Sequence, residues 1–396
     1  MEAYFFDWVN LLLRWAHVIT AIAWIGSSFH FVGLDNSLTP PLDEKDRAKG
    51  IGGELWAVHG GGFYHQQKYP VSPAQLPDNL HWSMWQSYST WLTGFALFTV
   101  MYLYQAGTFL IDKSLFNWSP AAAVSTALGF LVAFWVIYDV ICRVFAARRN
   151  GDLIVGALLF GFIVFASWLS CQLFAGRAAF LLVGAMLATS MSANVFMIII
   201  PGQRKVVASL RAGTPVDPIH GQRGKQRSVH NTYFTLPVVF AMLSNHYGFL
   251  YNGAHNWAVL VLMMLAGALI RASFVLRHKA IAFGRPTQWG WAVAGVVLTA
   301  AVLAFNVPAK QAEALASGPA SLAEVQTVIN QRCVMCHNQV LANKNIQLHS
   351  PALITQNAQA IYQQAVVLRQ MPMNNASQIT EAERAVLGRW FLAGAK

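Results

Sequence analysis

Apolar residues run through the first three hundred positions in eight stretches of about 20 residues, the length a helix needs to cross a bilayer. They are 8–34, 83–106, 119–142, 153–174, 178–201, 229–250, 256–276 and 288–307. Polar residues collect between them. The stretch AKQAEALASGPAS at 309–321 then reads as a small polar linker, followed by a mixed pattern to the C-terminus. These patterns predict an all-α chain. A polytopic membrane helix bundle of about eight spans fills residues 1–307, a linker fills 308–321, and a small domain fills 322–396. The first loop, 35–80, is far longer than a connector needs to be.

Composition and charge sharpen this picture. Hydrophobic residues make up 56% and charged residues 11% of the chain. A soluble domain carries about 25% charged residues, so an ordinary soluble protein is excluded. The net charge of +11 needs no nucleic-acid partner, because loops can hold it. The loops after spans 1, 3, 5 and 7 hold 4, 3, 6 and 3 Lys or Arg, and those after spans 2, 4 and 6 hold 1, 1 and 0. The positive-inside rule then places odd-numbered loops, including 35–80, in the cytoplasm. Both termini and the C-terminal domain fall on the other side. In a bacterium this is a multi-pass protein of the inner (cytoplasmic) membrane, with periplasmic termini and the lipid bilayer as partner. MEAYFFDW has no Lys or Arg before the first apolar run, so that run reads as a retained span rather than a leader.

The C-terminal domain carries CVMCH at 333–337. Two thiols and an imidazole at this spacing suit covalent capture of a haem, with thioethers at Cys333 and Cys336 and His337 as iron ligand. Seventy-odd residues make a thin core, which a covalent haem would complete. A zinc site would need further ligands, and only His349 is near. In RQMPMNN, a Met-Pro turn precedes a helix, as in the distal half of small class I cytochromes c. Met371 is the expected sixth ligand, with Met373 and His349 as alternatives. Met/His ligation favours electron transfer. Cys142 and Cys171 sit in apolar runs and read as inert core thiols.

Ionisable residues within spans are functional by default. Span 1 holds Arg14, His17 and His30, and span 6 holds His230 and His246. In the derived orientation His17 and His246 share one depth, and His30 and His230 the other. Such pairs suit one or two b-type haems, with Arg14 beside a propionate. The bland reading makes these residues interfacial. Asp139 has Arg143 at i+4, an ordinary helix-end ion pair.

Loop 35–80 contains GIGGELWAVHGGGFYHQQKYPVSPAQLPDNLHWSMW, running into span 2. Its alternation suits a short hairpin turning at the glycines. Glu54, His59, His65, His81 and Lys68 offer bases, acids and a cation. Trp56, Phe63, Tyr64, Trp82, Trp85 and Gln86 offer flat surfaces and an amide. Together they suit a pocket for a planar, anionic heteroaromatic compound, although Trp and Tyr also form interfacial belts.

RWAHVITAIAWIGSSFHF, GELWAVHGGGFYHQQKY, LHWSMWQSYSTWLTGF and the trailing CVMCH together resemble the PuuD family, integral-membrane urate oxidases fused to a cytochrome c. The resemblance spans essentially the whole chain. It implies oxidation of urate to 5-hydroxyisourate, with electrons passed to the covalent c-type haem instead of O2. A soluble cytochrome c or a cytochrome oxidase would be the terminal acceptor. The RWAH…AW pattern also resembles span 1 of HemJ-type haem proteins, which implies His17 as a haem ligand. Two readings compete: a quinol:cytochrome c oxidoreductase, and a membrane anchor for an electron carrier.

Overall fold

The computed structural model describes residues 2–253, 255–306 and 318–395. Most of the expected linker, residues 308–317, lies outside them. Helices occupy all eight apolar stretches. In chain order they are α1 (Glu2–Ser37), α2 (Trp85–Phe98), α3 (Pro120–Phe145), α4 (Gly151–Leu173), α5 (Gly176–Ala193), α6 (Ile200–Arg211), α7 (Pro218–Leu243), α8 (Asn256–Ala282) and α9 (Gly290–Phe305). A π-helical turn, Asn194–Ile199, joins α5 to α6, and another, Thr99–Leu103, extends α2. Such turns are rare and gather at functional sites.

Five segments are long and apolar enough to cross a membrane: Tyr4–Ser37, Pro120–Phe145, Gly151–Leu173, Gly176–Arg211 and Asn256–Ala282. Five of the eight expected spans thus meet this measure of length and hydropathy. The shortfall has local causes. Helix α7 starts at Pro218 rather than 229, because Asp217 caps it by accepting Ile219 N–H at 2.9 Å. It therefore takes in Arg223, Lys225 and Arg227. Helix α2 passes into its π-helical turn after Phe98, and α9 has only 16 residues.

Helix α5 is the centre of the bundle. It packs against α3, α4 and α7 and buries Ala178, Phe180, Leu182, Met186 and Leu187 completely. Gly184 lets α7 approach closely, since a Cβ there would sit 2.8 Å from that of Ala241. Helices α1 and α9 lie at the periphery. They expose Trp8, Leu12, Trp15, Ile19, Trp291 and Val296, an apolar surface suited to lipid rather than water.

A second core lies beyond residue 318, built by Val325, Ile329, Ile354, Leu387 and Trp390. Helices α10 (Leu322–Arg332) and α11 (Glu381–Leu392) frame it. Each begins with a capping box, Ser321 with Glu324 and Thr380 with Glu383. This C-terminal unit is seated on one end of the bundle. Asn252 Nδ2 donates to the carbonyls of Leu368 at 3.0 Å and Arg369 at 3.1 Å. Met373 packs against the bundle core.

The opposite end carries the one sheet among the described residues, the hairpin β1 (Gly53–His59) and β2 (Gly62–Lys68). Gly60 and Gly61 form its turn with positive φ, as the glycine run predicts. Helix α8 joins the two ends. It starts beside the C-terminal unit and finishes against the hairpin, about 40 Å apart at 1.5 Å per residue. Trp390 is 1% exposed. Trp390→Ala should therefore destabilise the C-terminal unit by about 3–5 kcal/mol, read as a lower unfolding midpoint of the solubilised chain with bundle helicity retained.

Candidate functional site

At the hairpin end, register decides which side chains can act together. Residues directly opposite share a face. Trp56 pairs with His65, Glu54 with Gln67 and Val58 with Phe63, so these six share one face. His59, Tyr64 and Lys68 belong to the other. The bases and aromatics expected as one pocket are thus split in two by strand parity.

The first face holds the stronger constellation. Glu54 is buried, accepts Leu42 N–H on Oε1 at 2.9 Å, and meets His65 Nε2 with Oε2 at 2.8 Å. The Leu42 amide, and then His65, hold this carboxyl below its ordinary range. Trp56 stacks on the His65 ring, with centroids 4.1 Å apart and planes 6° from parallel. The imidazole is fixed in plane and in tilt, while the outer face of Trp56 stays exposed. A carboxylate that orients a histidine is a general-base arrangement. Beside it lies a cavity of about 400 Å³ whose wall includes Ser37, Thr39, Glu54, Trp56 and His278, with His65 behind Glu54 and Trp56 rather than on the wall. No local pattern points to His278, because sequence distance hides that α8 ends here.

Asp46, also missed, brings its carboxylate within 4.8 Å of the Glu54 and His65 ligand atoms, a spacing that could hold a metal ion. Both carboxylates already have protein partners, however. Asp46 is bound by Lys49 at 2.7 Å and Gln67 at 2.8 Å, and chiefly Lys49 lowers its pKa. On the second face, Lys68 pairs with Asp35. Burial, and then the charge of Lys225, keep its ammonium below the usual value, which places the hairpin close to the start of α7. His59 and Phe63 are exposed at the tip. His81, Trp82, Trp85 and Gln86 lie outside this cavity. Trp82 faces Arg204 on α6, and Trp85 is exposed against Tyr88.

The intramembrane histidines fall in separate places. His17 Nδ1 lies 3.2 Å from both the Thr90 carbonyl and Thr93 Oγ1 of α2, and Gly94 makes room for the ring. With Arg14 it borders a cavity of only about 100 Å³. Arg14 itself donates to Asn10. His30 is exposed and meets Phe31 edge-on. His230 faces α3, where Tyr138 Oη lies 2.9 Å from its Nδ1. His246 lies beyond α7, at the seat of the C-terminal unit. The structure does not bring His30 and His230 together. His17 and His246 border different cavities, and Asn245 lies between them, lining both.

At the seat, a cavity of about 520 Å³ is shared by Arg177, Asn245 and His246 of the bundle with Arg369, Gln370 and Met371 of the C-terminal unit. The CVMCH segment forms one turn after α10, and the amides of Cys336 and His337 both donate to the Cys333 carbonyl at 3.1 Å. Both thiols are free. His337 Nδ1 lies 3.1 Å from the Ile346 carbonyl, which leaves Nε2 for a metal. A backbone carbonyl behind a ligating histidine is the usual supporting contact at haem and metal centres. These residues fit a covalent haem. Met371 and Met373 both border the shared cavity, and Met373 also packs against the bundle core. His349 is held by Gln339 at 3.1 Å.

Residues 3–306 match the family model described as urate oxidase N-terminal, which covers the bundle and its hairpin and stops before the C-terminal unit. No curated protein matches the chain, and no solved structure does.

The Glu54 contacts set a pH dependence. With its folded pKa lowered from 4.5, Glu54 contributes stability that is fully present above that value and is lost as pH falls through the lowered one. Proteolysis within 53–68 should accelerate in that acid range, and Glu54→Gln should show the fast rate already at neutral pH.

Proposed function

We propose, because the chain belongs to the urate oxidase N-terminal family, that it oxidises urate at the hairpin end and delivers the electrons to a haem held by the C-terminal unit. The observation that carries this reading is the Glu54–His65–Trp56 arrangement beside a cavity large enough for a purine. The product is 5-hydroxyisourate. Urate and one water yield it together with two protons and two electrons. A ring N–H proton of urate passes to the Glu54–His65 pair, in which Glu54 lines the cavity and His65 stands behind it at 2.8 Å. Trp56 offers its exposed face to the planar ring. His278, on the wall formed by α8, is placed to hold a carbonyl or a second proton. Water then adds at C5 of the oxidised purine.

Cys333 and Cys336 would hold the c-type haem through thioethers, with His337 and Met371 as axial ligands. Such a haem supplies one-electron acceptance, so the two electrons leave urate singly. Met371 faces the bundle across the shared cavity, which supports delivery from the membrane domain to this unit. The charge pattern of the loops supports a bacterial inner-membrane location, with the hairpin cytoplasmic and the C-terminal unit periplasmic. A soluble cytochrome c or an oxidase would take the electrons onward.

The test is anaerobic. Urate added to the purified chain should reduce its c-type haem. His65→Ala should slow that reduction by about 10²–10⁴-fold and leave the haem spectrum unchanged. Cys336→Ala should abolish the haem band that survives denaturing electrophoresis. Reduction by a quinol and none by urate would overturn the reading in favour of a quinol:cytochrome c oxidoreductase.

A further inference from the structure

A cavity larger than either the hairpin cavity or the seat lies elsewhere in the bundle. It measures about 760 Å³ and lies between α3, α4, α7 and α8, within the ~300–1,000 Å³ typical of cofactor and ligand pockets. Its α7 wall runs from Ile219 to Pro237, about 27 Å at 1.5 Å per residue. The two ends of that wall differ in chemistry. The end near the start of α7 is charged, and the deep end is apolar, with Phe160, Ile163, Leu187, Phe234 and Met264.

The charged end is out of balance. Arg143, Arg223, Lys225 and Arg227 line it against only Asp139 and Asp152. Asp139 is already shared, 2.5 Å from Arg143 and 2.6 Å from Arg227. Arg227 is 3% exposed, and its Nε and Nη1 have no hydrogen-bond partner among the described residues. A buried guanidinium with unpartnered donors is costly unless something anionic completes it. Arg223 and Lys225 are exposed at the mouth, which thus carries two more cationic than anionic side chains.

One turn further along α7, on the same face as Arg227, lies His230. Its Nδ1 is held by Tyr138 Oη at 2.9 Å, and Asn194 Nδ2 fixes that hydroxyl at 2.9 Å. Nε2 has no partner among the described residues. A histidine oriented through one ring nitrogen and open at the other is arranged as a metal ligand.

We infer that this cavity is the site of a non-covalent, b-type haem, with His230 Nε2 on the iron and Arg227 and its cationic neighbours on the propionates. Three independent features converge on that ligand. The apolar depth takes the macrocycle, the two excess positive charges match two propionates, and the histidine is oriented from behind. The site's charged rim lies at the start of α7. Resting on the urate reading above, it would supply a stepping stone between ends about 40 Å apart, since electron-transfer rates fall exponentially with distance. By contrast, the His17 cavity of about 100 Å³ has no room for a macrocycle as it stands.

The experiment uses the full-length, detergent-purified chain without urate, so its outcome is independent of the urate reading. A pyridine haemochrome spectrum should contain b-type as well as c-type haem. His230→Gly should lose a b-type haem and keep the c-type content, and added imidazole should restore the lost absorbance, which also shows that the variant is folded. Arg227→Gln should retain the haem less tightly, with at least tenfold faster loss to apomyoglobin. A spectrum with c-type haem alone would overturn the assignment, as would co-purified anionic phospholipid in its place. So would a b-type haem that persists in His230→Gly without imidazole and disappears in His17→Ala.

Discussion

The architecture depends on one constraint: a polar side chain placed among apolar helices must find its partner there, since no water is at hand. The bundle meets it with cross-helix bonds. Ser87 of α2 meets Ser192 of α5 at 3.0 Å. Asn194, fully buried where α5 enters its π-helical turn, donates to Tyr138 of α3 and to Asn231 of α7 at 2.9 Å each. Asn231 passes its own donor to the Met191 carbonyl at 3.0 Å. These bonds lock α3, α5 and α7 in register. They also set the Tyr138 hydroxyl against His230, so the same contacts that hold the helices orient a candidate ligand. The rule is broken at several buried atoms, among them Ser167 Oγ, Ser190 Oγ, Asn194 Oδ1, Arg271 Nε and Arg227 Nε, and at Arg227 the broken place is a cavity wall.

Two further consequences follow at the ends of the bundle. Helix α8 is continuous from Asn256 to Ala282, so the hairpin and the C-terminal unit cannot approach each other. Chemistry at one end reaches the other only through the helices between. At the hairpin, a buried carboxylate fixes a histidine and an indole caps it. At the seat, the Met371–Met373 loop rather than the CVMCH turn faces the bundle.

Much of this was legible in the residues. Run length located every long helix, glycines at 60 and 61 located the hairpin turn, and CVMCH marked a turn whose histidine is supported as a ligand should be. What stayed hidden was tertiary. Strand parity separates His59 and Lys68 from Glu54 and His65, and only the register reveals it. Arg227 read as a loop cation, because the Asp217 cap starts α7 at Pro218 and draws it into the bundle. Asp139 had a sufficient local partner in Arg143, which concealed its second bond to Arg227 across 88 positions. His278 and Asp46 join the hairpin site only through the fold. Five of the helices meet a strict length and hydropathy measure of a span, because charge tolerated inside a bundle lowers hydropathy without removing the helix.

The most direct measurement uses sealed membrane vesicles of both orientations, anaerobic and washed free of soluble carriers, with urate added outside and the c-type haem followed by its absorbance. If urate is oxidised at the hairpin end and its electrons cross to the seat, inverted vesicles, with the hairpin outward, should show prompt reduction. Right-side-out vesicles should show it only after permeabilisation. Prompt reduction in intact right-side-out vesicles, with none in inverted ones, would place the purine at the seat beside Met371 and contradict a path through the bundle.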